Sequence, residues 1–218
     1  MSSAKDLVIV GAGGLAREVA LLVEDINQVR AEWNLLGFID KLPSATGRKS
    51  GSWEIVGDDS YFAAHQQPLH VVIAIGMPKV IAQIATQLRR YSHLTFPNLL
   101  HPSTVWRREQ VHFGEGNIVL AGVSFTTDID LQSFNVINPM CSIAHDSRIG
   151  SCNLISPGVN ISGSVVIGDE CMIGTGAKIV QGTIIHDRSQ VGAGAVVLRN
   201  VEAGSTVVGV PAKPLQKE

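Results

Sequence analysis

The chain has 218 residues, enough for one large domain or two small ones, and a formal net charge of −2. That balance excludes the footprint of a nucleic-acid binder, since Arg89–Arg90 and Arg107–Arg108 are isolated pairs. No apolar run reaches the roughly eighteen residues of a membrane span, and the start shows no signal peptide, so no membrane partner and a cytoplasmic location are expected.

In chain order, Leu7–Val10 is predicted as a short buried strand. Leu15–Ile26 follows as a helix with Val19, Leu22, Val23 and Ile26 on one face. Leu35–Ile39 is a second strand, and Pro43–Gly57 reads as loop. Val71–Ile75 is a third strand, and Lys79–Arg90 is a helix with Ile81, Ile84, Ala85 and Leu88 aligned. Strands alternating with helices indicate a small parallel sheet. Between the first strand and helix, Gly11, Gly13 and Ala16 match G-x-G-x-x-A, with Gly14 beside them. Backbone N–H groups there can approach a phosphate. Asp40 ends the second strand, where an acidic group often meets a ribose hydroxyl, and Gly76 ends the third. The fingerprint alone points to NAD. Only one βαβαβ half fits the segment, however, which suits a mononucleotide or a nucleotide-linked sugar. A tight turn with no ligand is the plain alternative.

From Phe113 to Val197 every sixth residue is large and apolar: fifteen consecutive positions, nine of them isoleucine. This period fits neither a helix nor an amphipathic strand. It fits a parallel β-helix in which three six-residue segments close one triangular coil and each inward side chain stacks on the one eighteen residues earlier. The fold class is therefore an α/β half-Rossmann (βαβαβ-like) domain over 1–100 and a left-handed parallel β-helix of hexapeptide repeats over 101–218. Glycines after the inward residue (Gly114, Gly150, Gly168, Gly174, Gly192) are expected to supply positive φ at the corners. The repeat should not extend N-terminal of residue 111, because Arg107 and His101 would then point inward. The N-terminal domain would cover one exposed end, and the tail with Pro211 and Pro214 the other. Flat prism faces predict a symmetric oligomer, with three-fold symmetry natural for triangular coils. The three cysteines, Cys141, Cys152 and Cys171, all lie in the repeat without metal spacing and read as reduced core or corner residues.

Two residues after the inward Ile143 stands His145, followed by Asp146. An outward histidine beside a carboxylate can act as a general base, and a surface histidine in a corner hydrogen bond is the alternative. One coil on is Gly163, which leaves space beside the imidazole. His186–Asp187 repeats the pair two coils and five residues away. His65, His70, His93, His101 and His112 have no spacing. A zinc site of the γ-carbonic-anhydrase kind needs paired histidines within the repeat, which are lacking, so no metal is expected.

Several segments together resemble the bacterial hexapeptide acyltransferases of the sialic acid O-acetyltransferase and nucleotide-4-amino-sugar N-acetyltransferase type. They are Ile9-Val-Gly-Ala-Gly-Gly14, Gly37-Phe-Ile-Asp40, Val72-Ile-Ala-Ile-Gly76, Ile143-Ala-His145-Asp146 and Val208-Gly-Val-Pro-Ala-Lys213. The resemblance implies acetyl transfer from acetyl-CoA to the amine of a nucleotide-linked amino-sugar. His145 would be the base, Asp146 its supporting carboxylate and the Gly163 amide the oxyanion donor. Acetyl-CoA would meet Leu154, Thr175 and Ala193 between subunits of a homotrimer. The sugar nucleotide would lie on Gly13, Gly14, Leu15, Asp40, Lys41 and Gly76, reaching His145 of a neighbour. Leu15 and Leu154 stand where relatives carry histidine, and Lys41 replaces an acidic residue. O-acetylation of sialic acid or another hydroxyl is the alternative. A non-catalytic nucleotide-sugar-binding protein and an NAD-dependent oxidoreductase are further readings, disfavoured by His145–Asp146 and by the missing second half-sheet respectively.

Overall fold

The computed structural model describes residues 4–215; residues 1–3 and 216–218 lie outside it. The first half is a twisted sheet with helices against it. Strand β1 (Lys5–Val10) leads into helix α1 (Gly14–Val29), then β2 (Trp33–Ile39), a short 3₁₀ turn at Pro43–Ala45, β3 (Lys49–Ser50), β4 (Trp53–Gly57), the one-turn helix α2 (Tyr61–Ala64), β5 (Leu69–Ile73), helix α3 (Pro78–Leu88) and β6 (Leu94–Thr95). The sheet order is β3-β4-β2-β1-β5-β6. All pairs are parallel except β3 with β4. Leu7, Val8 and Ile9 are all fully buried, the uninterrupted apolar run of a strand covered on both faces.

Part of Pro43–Gly57 is not loop. Its turn residues flank a five-residue strand, Trp53-Glu-Ile-Val-Gly57, that joins the sheet edge, with Ile55 buried and the Trp53 ring centroid 6.0 Å from Phe38. Too short to show a period, it is stabilised by that edge pairing and by the β3–β4 hairpin.

The second half is the β-helix: three parallel sheets of two- and three-residue strands in which, between the first and last coils, each strand residue pairs with the one eighteen positions on, as Ile143 with Ile161 and Ile161 with Ile179. Burying each inward side chain contributes about 1.5–3 kcal/mol. Against expectation, the solenoid begins before residue 111. Strand β7 (Leu99–Leu100) pairs with Ile118–Val119, and Val105 bridges Ser124, both at an offset of nineteen. The first coil holds one extra residue. The backward count therefore misassigned His101 and Arg107, and Leu100 takes the ladder position beside Val119.

Positive φ is also placed differently. It falls three residues after each inward side chain, at every sixth position from Gly116 through Asp146, Ser164 and Arg188 to Gly194. The glycines immediately after the inward residue answer a different constraint, close approach of the next coil. A Cβ at Gly174 would lie 2.6 Å from the Ala193 nitrogen, and one at Gly150 2.7 Å from the Gly168 carbonyl oxygen.

The core has a second inward position two residues before each large one, filled by small or polar side chains such as Asn135, Cys141, Ser147, Asn153 and Cys171. Among them an asparagine ladder runs between coils. The side-chain oxygens of Asn98, Asn117, Asn135 and Asn153 accept the backbone N–H of Asn117, Asn135, Asn153 and Cys171 at 2.6–2.9 Å. At the far end Thr206–Val208 extends one sheet and the chain folds back, pairing antiparallel through Lys213–Pro214. The N-terminal half docks through Phe96 against Phe134, with ring centroids 5.2 Å apart, and through the ion pairs Arg89–Glu115 (2.7 Å) and Asp25–His101 (3.3 Å).

Candidate active site

Each coil has three corners. One carries Thr127, His145, Gly163 and Gln181 in successive coils, and the next backbone position there is left-handed or glycine: Asp128, Asp146, Ser164 and Gly182. Asp tolerates this conformation better than most residues. It turns the Asp146 carboxylate back onto its neighbour, so that His145 Nδ1 lies 2.7 Å from Asp146 Oδ2. Holding the proton on Nδ1 leaves the Nε2 lone pair free. The two side chains are 50% and 61% exposed, so their attraction is screened and the pairing acts chiefly through orientation.

The ring lies over Gly163, where an added Cβ would sit 2.6 Å from Nε2. The coils are tied here by Ser164 N–H donating to the His145 carbonyl at 2.7 Å and Gly182 N–H to the Gly163 carbonyl at 3.0 Å. Among the described residues the Gly163 N–H has no acceptor. At the following corner the equivalent amides are occupied: Ser133 donates to Ser151, Ser151 to Asp169 and Asp169 to Asp187. His145, Asp146 and Gly163 thus form one cluster. His186 and Asp187 do not form a second, because Asp187 Oδ1 accepts the Asp169 N–H.

Thr175 and Ala193 stack on a different corner, joined by Gly194 N–H to the Thr175 carbonyl at 2.8 Å. Between that corner and His145 lies the sheet face bearing Ser142, Asn160, Lys178 and Val196. Leu154 is half-buried, paired with Val136 and Met172 in the ladder and packed on the hydrophobic cluster that runs from the N-terminal sheet onto Val136 and Cys152.

In the N-terminal half, the glycine loop, Asp40 and Gly76 follow the carboxyl ends of β1, β2 and β5, adjacent strands of one sheet. Gly11 has φ 106° and a Cβ there would lie 2.8 Å from the Ala74 carbonyl oxygen, so it fixes the turn. Gly13 and Gly76 face open space. Leu15 is half-buried, packed against the core beneath the loop. Asp40 Oδ1 accepts the Leu42 N–H at 2.9 Å, closing its own turn, and Lys41 is exposed. A contact that no sequence pattern signals closes the loop from above: Ser50 Oγ donates to the Ala12 carbonyl at 2.6 Å and accepts from Arg17 at 3.2 Å. Among the described residues, no three His, Cys, Asp or Glu side chains are grouped to hold a metal.

The PglD N-terminal domain family matches residues 6–95, and the bacterial transferase hexapeptide family (six repeats) matches residues 164–199. No curated protein sequence matches the chain. Among solved structures, the acetyltransferase domain of PglB from Neisseria gonorrhoeae is 28% identical over 97% of this chain and 100% of its own, with a TM-score of 0.89. PerB from Caulobacter crescentus, solved with CoA and GDP-perosamine, is 27% identical over 99% of each chain, with a TM-score of 0.86. WeeI from Acinetobacter baumannii is 25% identical over 97% of this chain and 100% of its own, with a TM-score of 0.74. On this fold, these matches make the chain a hexapeptide-repeat acyltransferase. Its first half matches the PglD N-terminal domain, and over nearly its whole length the chain is similar to the acetyltransferase domain of PglB and to PerB.

Proposed function

We propose that the protein transfers the acetyl group of acetyl-CoA to the amine of a nucleotide-linked amino-sugar, with His145 as general base. The observation carrying this reading is the His145–Asp146 pair, 2.7 Å apart, with the imidazole over the unpaired Gly163 amide. The neutral amine attacks the thioester carbonyl carbon. Nε2 removes the proton that the nitrogen sheds, and the Gly163 N–H receives the oxyanion. Collapse breaks the carbon–sulfur bond, and the proton on Nε2 passes to the leaving thiolate. The relatives support the donor and the acceptor class: the PglB domain was solved with acetyl coenzyme A, and PerB with CoA and GDP-perosamine.

In this reading residues 1–100 bind the sugar nucleotide at Gly13, Gly14 and Gly76, and residues 101–218 hold the coenzyme along Thr175 and Ala193. Leu15, Asp40 and Lys41 flank the acceptor, and Leu154 faces the coenzyme, the two leucines being half-buried. The separation of the Thr175–Ala193 corner from the His145 corner supports a homotrimer in which one subunit supplies the coenzyme corner and its neighbour the base.

The test is thiol release from acetyl-CoA against nucleotide-linked amino-sugars, sialic acid and simple alcohols, with His145→Ala alongside. Turnover with an amino-sugar nucleotide, lost in the variant, is expected. Turnover only with a hydroxyl acceptor would replace N- by O-acetylation, and full activity in the variant would remove His145 from the mechanism.

A further inference from the structure

A cleft of about 300 Å³ separates the first turn of α3 from the outer face of the solenoid. Met77 and Lys79 line one wall; Glu170, Met172, Arg188 and Gln190 line the other. Met77 directly follows Gly76. Met172 and Gln190 are outward residues on the strands that turn into the Thr175 and Ala193 corner. The cleft therefore joins the two regions assigned above to acceptor and coenzyme.

Its charges have no structural use. Neither the Lys79 ammonium nor the Arg188 guanidinium has a hydrogen-bond or salt-bridge partner among the described residues. Lys79 stands in the first turn of an eleven-residue helix with no side-chain cap, where the helix dipole opposes a cation. Arg188 holds φ 57°, a conformation that costs a non-glycine residue about 1 kcal/mol. The same left-handed corner position carries Phe134, Met140, Cys152 and Ser164 in other coils, so what marks Arg188 is the placement of its side chain in the cleft rather than its backbone.

We propose that Lys79 and Arg188 form a phosphate-binding cleft spanning both halves of the chain. The assignment rests on the acyltransferase reading for its ligands. Both candidates are phosphate esters: the diphosphate of the acceptor nucleotide, next to Gly76, or the phosphates of the coenzyme, next to Thr175. Arg188 offers a planar fork for two phosphate oxygens, and Lys79 a point charge. Glu170 sits beside them and weakens the site, which sets the sign of a third substitution.

The experiment is calorimetric titration of the intact protein with nucleoside diphosphates and, separately, with CoA and dephospho-CoA. The proteins compared are wild type, Lys79→Gln, Arg188→Gln, the double variant, Glu170→Gln and a distant charge-loss control, Arg30→Gln. Each cation loss should weaken one ligand about ten-fold, the worth of a charged hydrogen bond to phosphate. Glu170→Gln should tighten it, and Arg30→Gln should leave it within two-fold. Weakening confined to the nucleoside diphosphate assigns the cleft to the acceptor. Weakening confined to CoA assigns it to the coenzyme, and to its 3′-phosphate if dephospho-CoA is unaffected. Unchanged affinity for both in the double variant, with an unchanged Tm, overturns the proposal. Because binding is read without turnover, failure of the acetyl-transfer reading would show separately, as normal binding with no thiol release.

Discussion

His145 is placed by two neighbours that do different things. Asp146 sets the tautomer, and Gly163 clears the space the ring occupies. Removing the base in His145→Ala should lower kcat by about 10²–10⁴-fold, measured by thiol release with Tm unchanged. Gly163→Ala should also lower kcat, on the order of 10²-fold, because a misplaced catalytic group costs about that much. The three nearest atoms its new Cβ meets belong to the half-exposed His145 ring, which can swing away, so stability should be retained; a drop in Tm would mean that the backbone had moved. Asp146→Asn keeps the left-handed corner and should cost about ten-fold, one charge-assisted hydrogen bond. An unaltered kcat would make Asp146 a corner residue only. The three thiols are pushed up to about 11 by burial. Iodoacetamide at neutral pH should therefore label the folded protein far more slowly than the unfolded chain. The cluster of His145, Asp146 and Gly163 was legible because adding eighteen to 145 lands on a glycine. Asp40 was less so, since an acidic residue after a strand reads the same whether it meets a ribose or only closes a turn, and here Oδ1 accepts the Leu42 amide while Oδ2 has no partner among the described residues.

At the scale of elements the six-residue period specified the ladder almost without error, while the corners were misread. Glycine serves two purposes in each repeat, close approach at one position and positive φ two residues later, and composition alone merges them. The extra residue in the first coil hid β7, because a register argument fails completely on a one-residue slip. Asn117, Asn135 and Asn153 stand eighteen apart, so their ladder was open to the same count that found the isoleucines. Their polarity drew attention away from the core. Asn135 Oδ1 accepts the Asn153 N–H, and its amide nitrogen donates to Asn117 and Gln132. Asn135→Ala should then orphan buried groups in adjacent coils and destabilise by about 2–4 kcal/mol in chemical denaturation. A loss under 1 kcal/mol would show that water or a neighbour replaces the amide.

At the scale of the whole molecule, a site divided between copies can be tested by mixing. His145→Ala and Gly76→Trp, which fills the open space beside β5, should each be inactive as homo-oligomers. Unfolded and refolded together, they should regain activity, because some sites would then combine an intact loop with an intact base. Absence of rescue would place both in a single chain. The corner bearing His145 has a further property. Thr127–Asp128, His145–Asp146, Gly163–Ser164 and Gln181–Gly182 share one backbone shape, repeated by translation along the axis. Nothing in the main chain singles out the second of these addresses. What singles it out is height: its distance along the axis from the N-terminal half and from the closing hairpin. Duplicating one whole coil would preserve every address while changing that height, so the same residues could be re-aimed at a longer or shorter acceptor without remaking the turn that holds them.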